Sequence, residues 1–288
     1  MTKQVCCFGE IVWDVFPNQL VLGGAPLNVA RHLLRQEMEV ILLSAIGKDA
    51  LGVRAFQILK EEGLDKHLFL NEVNPTGTVQ ILPMGADHHF EIESGCAWEE
   101  IPPCDHDLLE ARRTQAVVFG SLALHSPSNQ ITFQELYQQH QNRIPYWVCD
   151  LNLRYPFHQA NVIEKCLNWS THLKINEVES RFLCLQYGVK NHDALANYLK
   201  SEFGIQGILL TLGEKGMAYK GEEGIFETLP TKPRKFEDAV GAGDSVTARF
   251  VRGLIGKEDL KEVFEEASKI AAEVIATKGA FPDPYPRF

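Results

Sequence analysis

Glu237-Asp238-Ala239-Val240-Gly241-Ala242-Gly243-Asp244-Ser245 runs straight into Val246, Ala248, Phe250, Val251 and Leu254, an apolar pattern at helical spacing. The stretch is a glycine turn that opens a helix. Gly241 and Gly243 let the backbone turn tightly and leave nothing over the amides of Gly241, Ala242, Gly243 and Asp244. Unpaired N–H groups and the helix dipole at such a terminus favour an anion. Asp244 stands beside that hole. A carboxylate next to a phosphate cradle suits the transfer of a phosphoryl group to a hydroxyl: a base for the hydroxyl, donors for the transferring group. The alternative is a plain glycine turn with Asp244 as an N-cap.

Upstream of this turn, short apolar runs alternate with helical patterns. Strands are expected at Val5 to Gly9, Val40 to Ala45, Ala116 to Phe119, Trp147 to Asp150, Leu173 to Asn176 and Gly207 to Leu212. They read as continuous apolar runs, as parallel strands covered on both faces do. Helices are expected at Pro26 to Gln36, Ala50 to Glu62, Asn129 to His140, Glu177 to Tyr187, Ala194 to Glu202 and Leu260 to Thr277. The alternation predicts an α/β fold, a doubly wound, mostly parallel sheet with helices on both faces. Two stretches break it: an extended piece within residues 10–22, and two strand-like pieces around Gly85 within residues 77–98. They predict a small β-sheet lid beside the main sheet, in one domain spanning 1–288. Val79, Ile81, Phe90 and Ile92 give that small sheet an apolar face, which must be covered by the cleft, the main sheet or a second copy. The last option predicts a symmetric homodimer joined through the lids.

Composition narrows the partners. The 288 residues carry a net charge of −10 with no run of Lys and Arg, which argues against nucleic acid and anionic membranes. No segment is apolar over the roughly 18–20 residues that a membrane span needs. Seven irregularly spaced cysteines without a CxxC pair are read as reduced thiols of a cytoplasmic protein.

Other constellations fall at strand ends or glycine turns. Gly23 and Gly24 precede Pro26 at a helix start, and either let a polyol approach the backbone or simply form a glycine turn before the helix; Asn28 offers a donor and an acceptor to a sugar hydroxyl. Asp14 is an acid in an apolar extended piece, suited to a sugar diol or simply exposed. Asp150-Leu151-Asn152-Leu153-Arg154 follows a buried strand, with three polar side chains expected on one side of the site. Asn176 and Glu179 form either a capping box or the outer shell of Mg²⁺, and the two are compatible. Thr211, Gly213 and Gly216 end another strand, where a nucleotide could lie against the backbone or the glycines could simply turn a hairpin. Thr277 to Pro282 could present carbonyls to a monovalent cation or merely close the domain.

Gly23-Gly24-Ala25-Pro26-Leu27-Asn28, Asp150-Leu151-Asn152-Leu153-Arg154, Asn176-Glu177-Val178-Glu179, Thr211-Leu212-Gly213-Glu214-Lys215-Gly216 and Asp238-Ala239-Val240-Gly241-Ala242-Gly243-Asp244 occur in the order of the ribokinase-like, PfkB-type sugar kinases. Within that family the chain resembles bacterial fructokinases, through Gly9 to Pro17, Ala97-Trp98 and Phe119 to Leu124. The resemblance implies a Rossmann-like domain with a sugar-covering lid, using ATP and Mg²⁺, with K⁺ as a further ion. It implies Asp244 as catalytic base and Gly241, Ala242 and Gly243 as anion hole. Asp14, Gly23, Gly24, Asn28 and Arg154 would bind the sugar. Asn176, Thr211, Gly213, Gly216, Gly243 and Ser268 would line the nucleotide. Glu179 would serve Mg²⁺; Asp238, Val240 and Ala280 would hold the monovalent cation. The implied reaction is phosphorylation of fructose to fructose 6-phosphate. A kinase for another polyol, such as 2-keto-3-deoxygluconate or a nucleoside, and a non-catalytic sugar sensor are the alternatives.

Overall fold

A computed structural model describes residues 3–17, 19–84, 87–104, 108–109, 113–277 and 279–280, with backbone alone for 82–84 and 87–90. Seven parallel strands form the centre of a nine-stranded sheet. They are β1 (Gln4–Phe8), β4 (Glu39–Gly47), β5 (Leu68–Asn71), β8 (Thr114–Gly120), β9 (Tyr146–Asp150), β10 (His172–Asn176) and β11 (Gly207–Thr211). Two antiparallel strands, β12 (Met217–Gly221) and β13 (Gly224–Thr228), finish one edge, giving the order β13-β12-β11-β10-β9-β8-β1-β4-β5. The chain winds outward from β1 in one direction through β4 and β5, then returns to its other side at β8. The sheet's topological switch point therefore lies between β1 and β8, where α/β sheets open a crevice at the carboxyl ends of the strands.

Strand alternation sorts side chains between two helical layers. Cys6 and Phe8 pack with Phe133 of α3 (Pro127–His140), Cys166 of α4 (Ala160–Asn168), Leu183 of α5 (Glu177–Tyr187) and Leu199 of α6 (His192–Phe203). Val5 and Cys7 pack on the opposite face with Leu33 of α1 (Ala25–Arg35), Leu59 of α2 (Ala50–Glu61), Phe250 of α7 (Ala242–Gly256) and Phe264 of α8 (Leu260–Ile275). Both layers are apolar, so the central strands read as continuous apolar runs. The cysteines among these residues are free. Among the described residues, no helix is long and apolar enough to cross a membrane.

A separate four-stranded sheet has the order β3-β2-β6-β7, from β2 (Val12–Phe16), β3 (Gln19–Gly23), β6 (Gly77–Met84) and β7 (Asp87–Ile92). Both breaks in the alternation thus form one small sheet; Gly85 and Ala86 of its expected turn lie outside the described residues. Register places Asp14 beside Val79 and Val79 beside Ile92, so these side chains share a face with Val12 and Ile81. Val79 and Ile81 are buried with Val12, Cys96, Trp98 and Leu122, and Ile92 packs at the margin. The apolar face that suggested a homodimer is therefore covered from within the chain, against the main sheet's loops. Each such buried side chain contributes about 1.5–3 kcal/mol. The Phe90 side chain lies outside the described residues.

Candidate active site

Two cavities lie along the carboxyl edge of the main sheet and meet at Gly243. The first, about 410 Å³, is walled by Asn176, Thr211, Gly213, Gly216, Gly243 and Ser268 among others. The second, about 670 Å³, lies under the small sheet at the switch point; Glu10, Asp14, Gly24, Asn28, Arg154 and Asp244 face it. Five of the residues expected at the sugar or the base, and all six expected at the nucleotide, thus border one continuous groove.

The junction is built by the first turn of α7. Its N-cap is Gly241 in the left-handed region, φ 79°, without a side-chain cap, and Asp244 stands third in the helix. Asp244 is therefore not the N-cap. The amides of Gly243 and Asp244 have no acceptor among the described residues, the condition for an anion site. A Cβ on Gly241 would come 2.3 Å from the Cβ of Ala280, so the turn packs on the C-terminal segment. Strain and clash coincide here. Gly241→Ala is expected to cost about 1–3 kcal/mol, read as a lower melting temperature; an unchanged melting curve would count against this packing.

Asp244 is set by its neighbours. Asn28 in the first turn of α1 donates from Nδ2 to Asp244 Oδ2 at 2.8 Å, tying the two helix starts together. Burial pushes the Asp244 carboxyl up to about 6 and the nearby Asp150 adds to this; Asn28, Lys174 and Arg154 pull it back. A helix N-terminus by itself favours the ionised carboxylate; loss of solvent outweighs it here. Asn28 borders the cleft but is only 4% exposed, and its buried Oδ1 has no partner among the described residues. A buried acceptor without a donor is costly, and a ligand hydroxyl would satisfy it.

Burial likewise raises Asp14 and Glu10, each to about 7, with Arg154 acting against it in both. Glu10, absent from the sequence-based candidates, accepts from the Ala25 amide at 3.2 Å and so holds the start of α1. Gly23 stands behind Asp14 rather than on the cleft wall: a Cβ there would meet Asp14 Oδ2 at 2.8 Å. Gly24, φ 113°, leaves room for the Glu10 carbonyl, 2.3 Å from its notional Cβ.

The Asp150–Arg154 segment departs from the expected single-sided arrangement. Asn152 and Arg154 border the cleft, but Asp150 turns inward: it accepts from Lys174 Nζ at 2.9 Å and from Thr247 Oγ1 at 2.8 Å. Asn152 adopts φ 42°, which breaks strand alternation. Lys174 itself borders the cleft and lies against Gly243, 3.0 Å from a notional Cβ. Burial alone would lower its pKa; Asp150, Glu179 and Asp244 more than offset this, so it stays charged.

Glu179 lies outside both cavities. Its Oε1 accepts from the Leu153 amide at 2.8 Å and its Oε2 from the Asn176 amide at 2.8 Å; Asn176 Oδ1 accepts from the Glu179 amide, completing a capping box. Ser268 Oγ accepts from the Thr231 amide at 2.7 Å, closing the far end of the first cavity. Asp238 and Val240 border the second cavity, and Asp238 Oδ1 accepts from the Val240 amide at 3.0 Å. The Ala280 carbonyl accepts from Nε2 of buried His32 at 3.1 Å. Among the described residues no three His, Cys, Asp or Glu side chains converge as a metal cage.

Comparison with known proteins agrees with this fold. The chain is 29% identical over 280 residues to the bifunctional protein HldE of a Nitratiruptor species, covering 93% of this chain and 56% of that protein; it spans little more than half of that relative's length. Its fold matches the crystal structure of an uncharacterized sugar kinase, PH1459, from Pyrococcus horikoshii in complex with ATP, with TM-score 0.83, 23% identity, and coverage of 96% and 93% of the two chains. It also matches a fructokinase double mutant from Vibrio cholerae O395 in a form with fructose, ADP and potassium ion bound, with TM-score 0.80, 21% identity, and coverage of 97% and 94%. The model of the pfkB family of carbohydrate kinases matches residues 2–286, and the chain belongs to that family.

Proposed function

We propose that this protein is an ATP-dependent sugar kinase that phosphorylates a primary hydroxyl, with fructose as substrate and fructose 6-phosphate as product. The observation that carries this reading is the meeting of two cavities at Gly243, with Asp244 facing the second. In this reading the nucleotide lies along Thr211, Gly213, Gly216 and Ser268, with its terminal phosphate at the start of α7. The sugar lies between Asp14, Gly24, Asn28 and Arg154, and the small sheet is its lid. The Vibrio neighbour of the same fold, solved with fructose and ADP bound, supports a groove that takes a sugar and a nucleotide together.

The sugar hydroxyl donates toward Asp244. As its oxygen bonds to the terminal phosphorus, the bond from that phosphorus to the bridging oxygen breaks. The hydroxyl proton passes to Asp244, and ADP leaves. The free amides of Gly243 and Asp244, with the ammonium of Lys174, meet the charge on the transferring group. The residues fit Mg²⁺ as an ion carried mainly on phosphate oxygens and water, with Asn176 and Glu179 ordering the site's edge, since magnesium keeps much of its water shell. When bound, it would neutralise phosphate charge. Asp238 and the carbonyls of Val240 and Ala280 offer hard oxygen donors suited to K⁺.

A coupled assay for ADP release across fructose, ribose, 2-keto-3-deoxygluconate and inosine tests the reading. Turnover with fructose above the others is expected; silence with all four would overturn it. Asn28→Ala should weaken sugar binding by about 1–3 kcal/mol, because hydroxyls lose a buried partner. Nucleotide affinity should barely change. A loss confined to the nucleotide would place the sugar at the wrong end of the groove.

A further inference from the structure

We infer that the second cavity accepts a neutral polyhydroxylated acceptor and rejects one bearing a phosphate or carboxylate group, because four carboxylates face it and its cations are already engaged. The inference rests on the kinase reading and narrows its substrate class. Glu10, Asp14, Asp238 and Asp244 border the cavity, against Arg154 and Lys174. Lys174 is paired with Asp150 at 2.9 Å and lies at the α7 end, against Gly243. Arg154 lowers the pKa of Glu10, Asp14 and Asp244 together, so one guanidinium serves three carboxyls.

The two anions of a phosphoryl transfer would meet different surroundings here. The terminal phosphate of the nucleotide arrives at the helix start, where free amides and Lys174 await it. An anionic substituent on the acceptor would lie at the opposite end, under the small sheet. That end offers Val12, Val79, Ile92 and Leu122 as apolar wall, and Glu10 and Asp14 as polar groups with Arg154 as their shared counter-charge. Apolar side chains give such an anion no compensation for lost water, and the carboxyls repel it. A neutral polyol fits both features: its C–H face suits the wall, and its hydroxyls can donate to Asp14, which borders the cavity.

Fructose and fructose 1-phosphate make a matched pair of probes, since both keep the hydroxyl at carbon 6. Calorimetric binding to the full chain, with 2-keto-3-deoxygluconate as the carboxylate probe, should favour fructose at least tenfold over either anion. Anion binding equal to or tighter than fructose, or no binding of fructose at all, would overturn the inference. Asp14→Asn and Glu10→Gln, made separately, separate charge from shape. Each should narrow the gap between fructose and fructose 1-phosphate, and an undiminished gap in both would mean steric exclusion and sink the charge argument. Fructose binding without ATP-dependent product would overturn the kinase reading and leave this selectivity standing.

Discussion

Asp244→Asn is expected to lower turnover by about 10²- to 10⁴-fold, the range for loss of a positioned general base, with sugar and nucleotide affinity changed only a few-fold. The substitution keeps size and shape. It also keeps an oxygen to accept the hydrogen bond from Asn28 Nδ2, so the link between α1 and α7 can survive. What is lost is the ability to take a proton. The pH profile supplies an independent readout. A base with pKa about 6 is ionised at neutral pH and protonated below it. Wild-type kcat/KM should therefore fall as pH drops through about 6, tending to tenfold per unit on the acid side, and the residual activity of the variant should lack that limb. Asn28 lowers the Asp244 pKa, so Asn28→Ala should move the limb to higher pH. Near wild-type turnover in Asp244→Asn would remove Asp244 from the chemistry.

The parts of the fold legible in the sequence are those where burial leaves a mark on both faces. The six expected strands lie in the parallel centre, because helices cover both sides and the runs stay apolar. The strands missed, β5, β12 and β13, lie at the edges or next to one. In β5, Phe69 and Leu70 are exposed, and β13 alternates between half-buried and exposed positions, so neither presents a continuous apolar run. The helix at Ala160–Asn168 was also missed: it has nine residues and no side-chain cap, so it carried no start signal. At the site, residues in glycine-bounded motifs were recoverable, since tight turns need particular residue types. Glu10 and Lys174 were not, because their partners are distant in sequence. Glu10 meets Ala25, and Lys174 is the register partner of Asp150 on the adjacent strand. A lysine between Leu173 and Ile175 in a buried run did signal a hidden counter-charge; only strand order could identify it.

Lys174→Met is expected to damage both the fold and the chemistry, and the two effects can be separated. Removing one partner of a buried ion pair leaves the other without compensation, at a cost of about 3–5 kcal/mol. Among the described residues, Asp150 would keep only Thr247 Oγ1 as a side-chain donor, at 2.8 Å. Urea unfolding should therefore shift to a clearly lower midpoint at unchanged slope. The pair also has a local task. Asp150 bridges Lys174 on β10 and Thr247 on α7, while Lys174 lies against Gly243, so the clamp fixes the first turn of α7 on the carboxyl ends of the strands. Lys174 also lowers the Asp244 pKa. Its loss should raise the acid limb of kcat/KM above pH 6 and reduce turnover by about 10²- to 10³-fold, as for a lost donor at a charge-developing centre. Adding Asp150→Asn to Lys174→Met removes the stranded charge and should recover much of the stability. Turnover should stay low, because no cation has returned to the helix start. Lys174→Arg, which keeps the charge, should retain more activity than Lys174→Met. Recovery of turnover in the double variant would reduce Lys174 to a structural counter-ion for Asp150. An unshifted unfolding midpoint in Lys174→Met would deny it even that role.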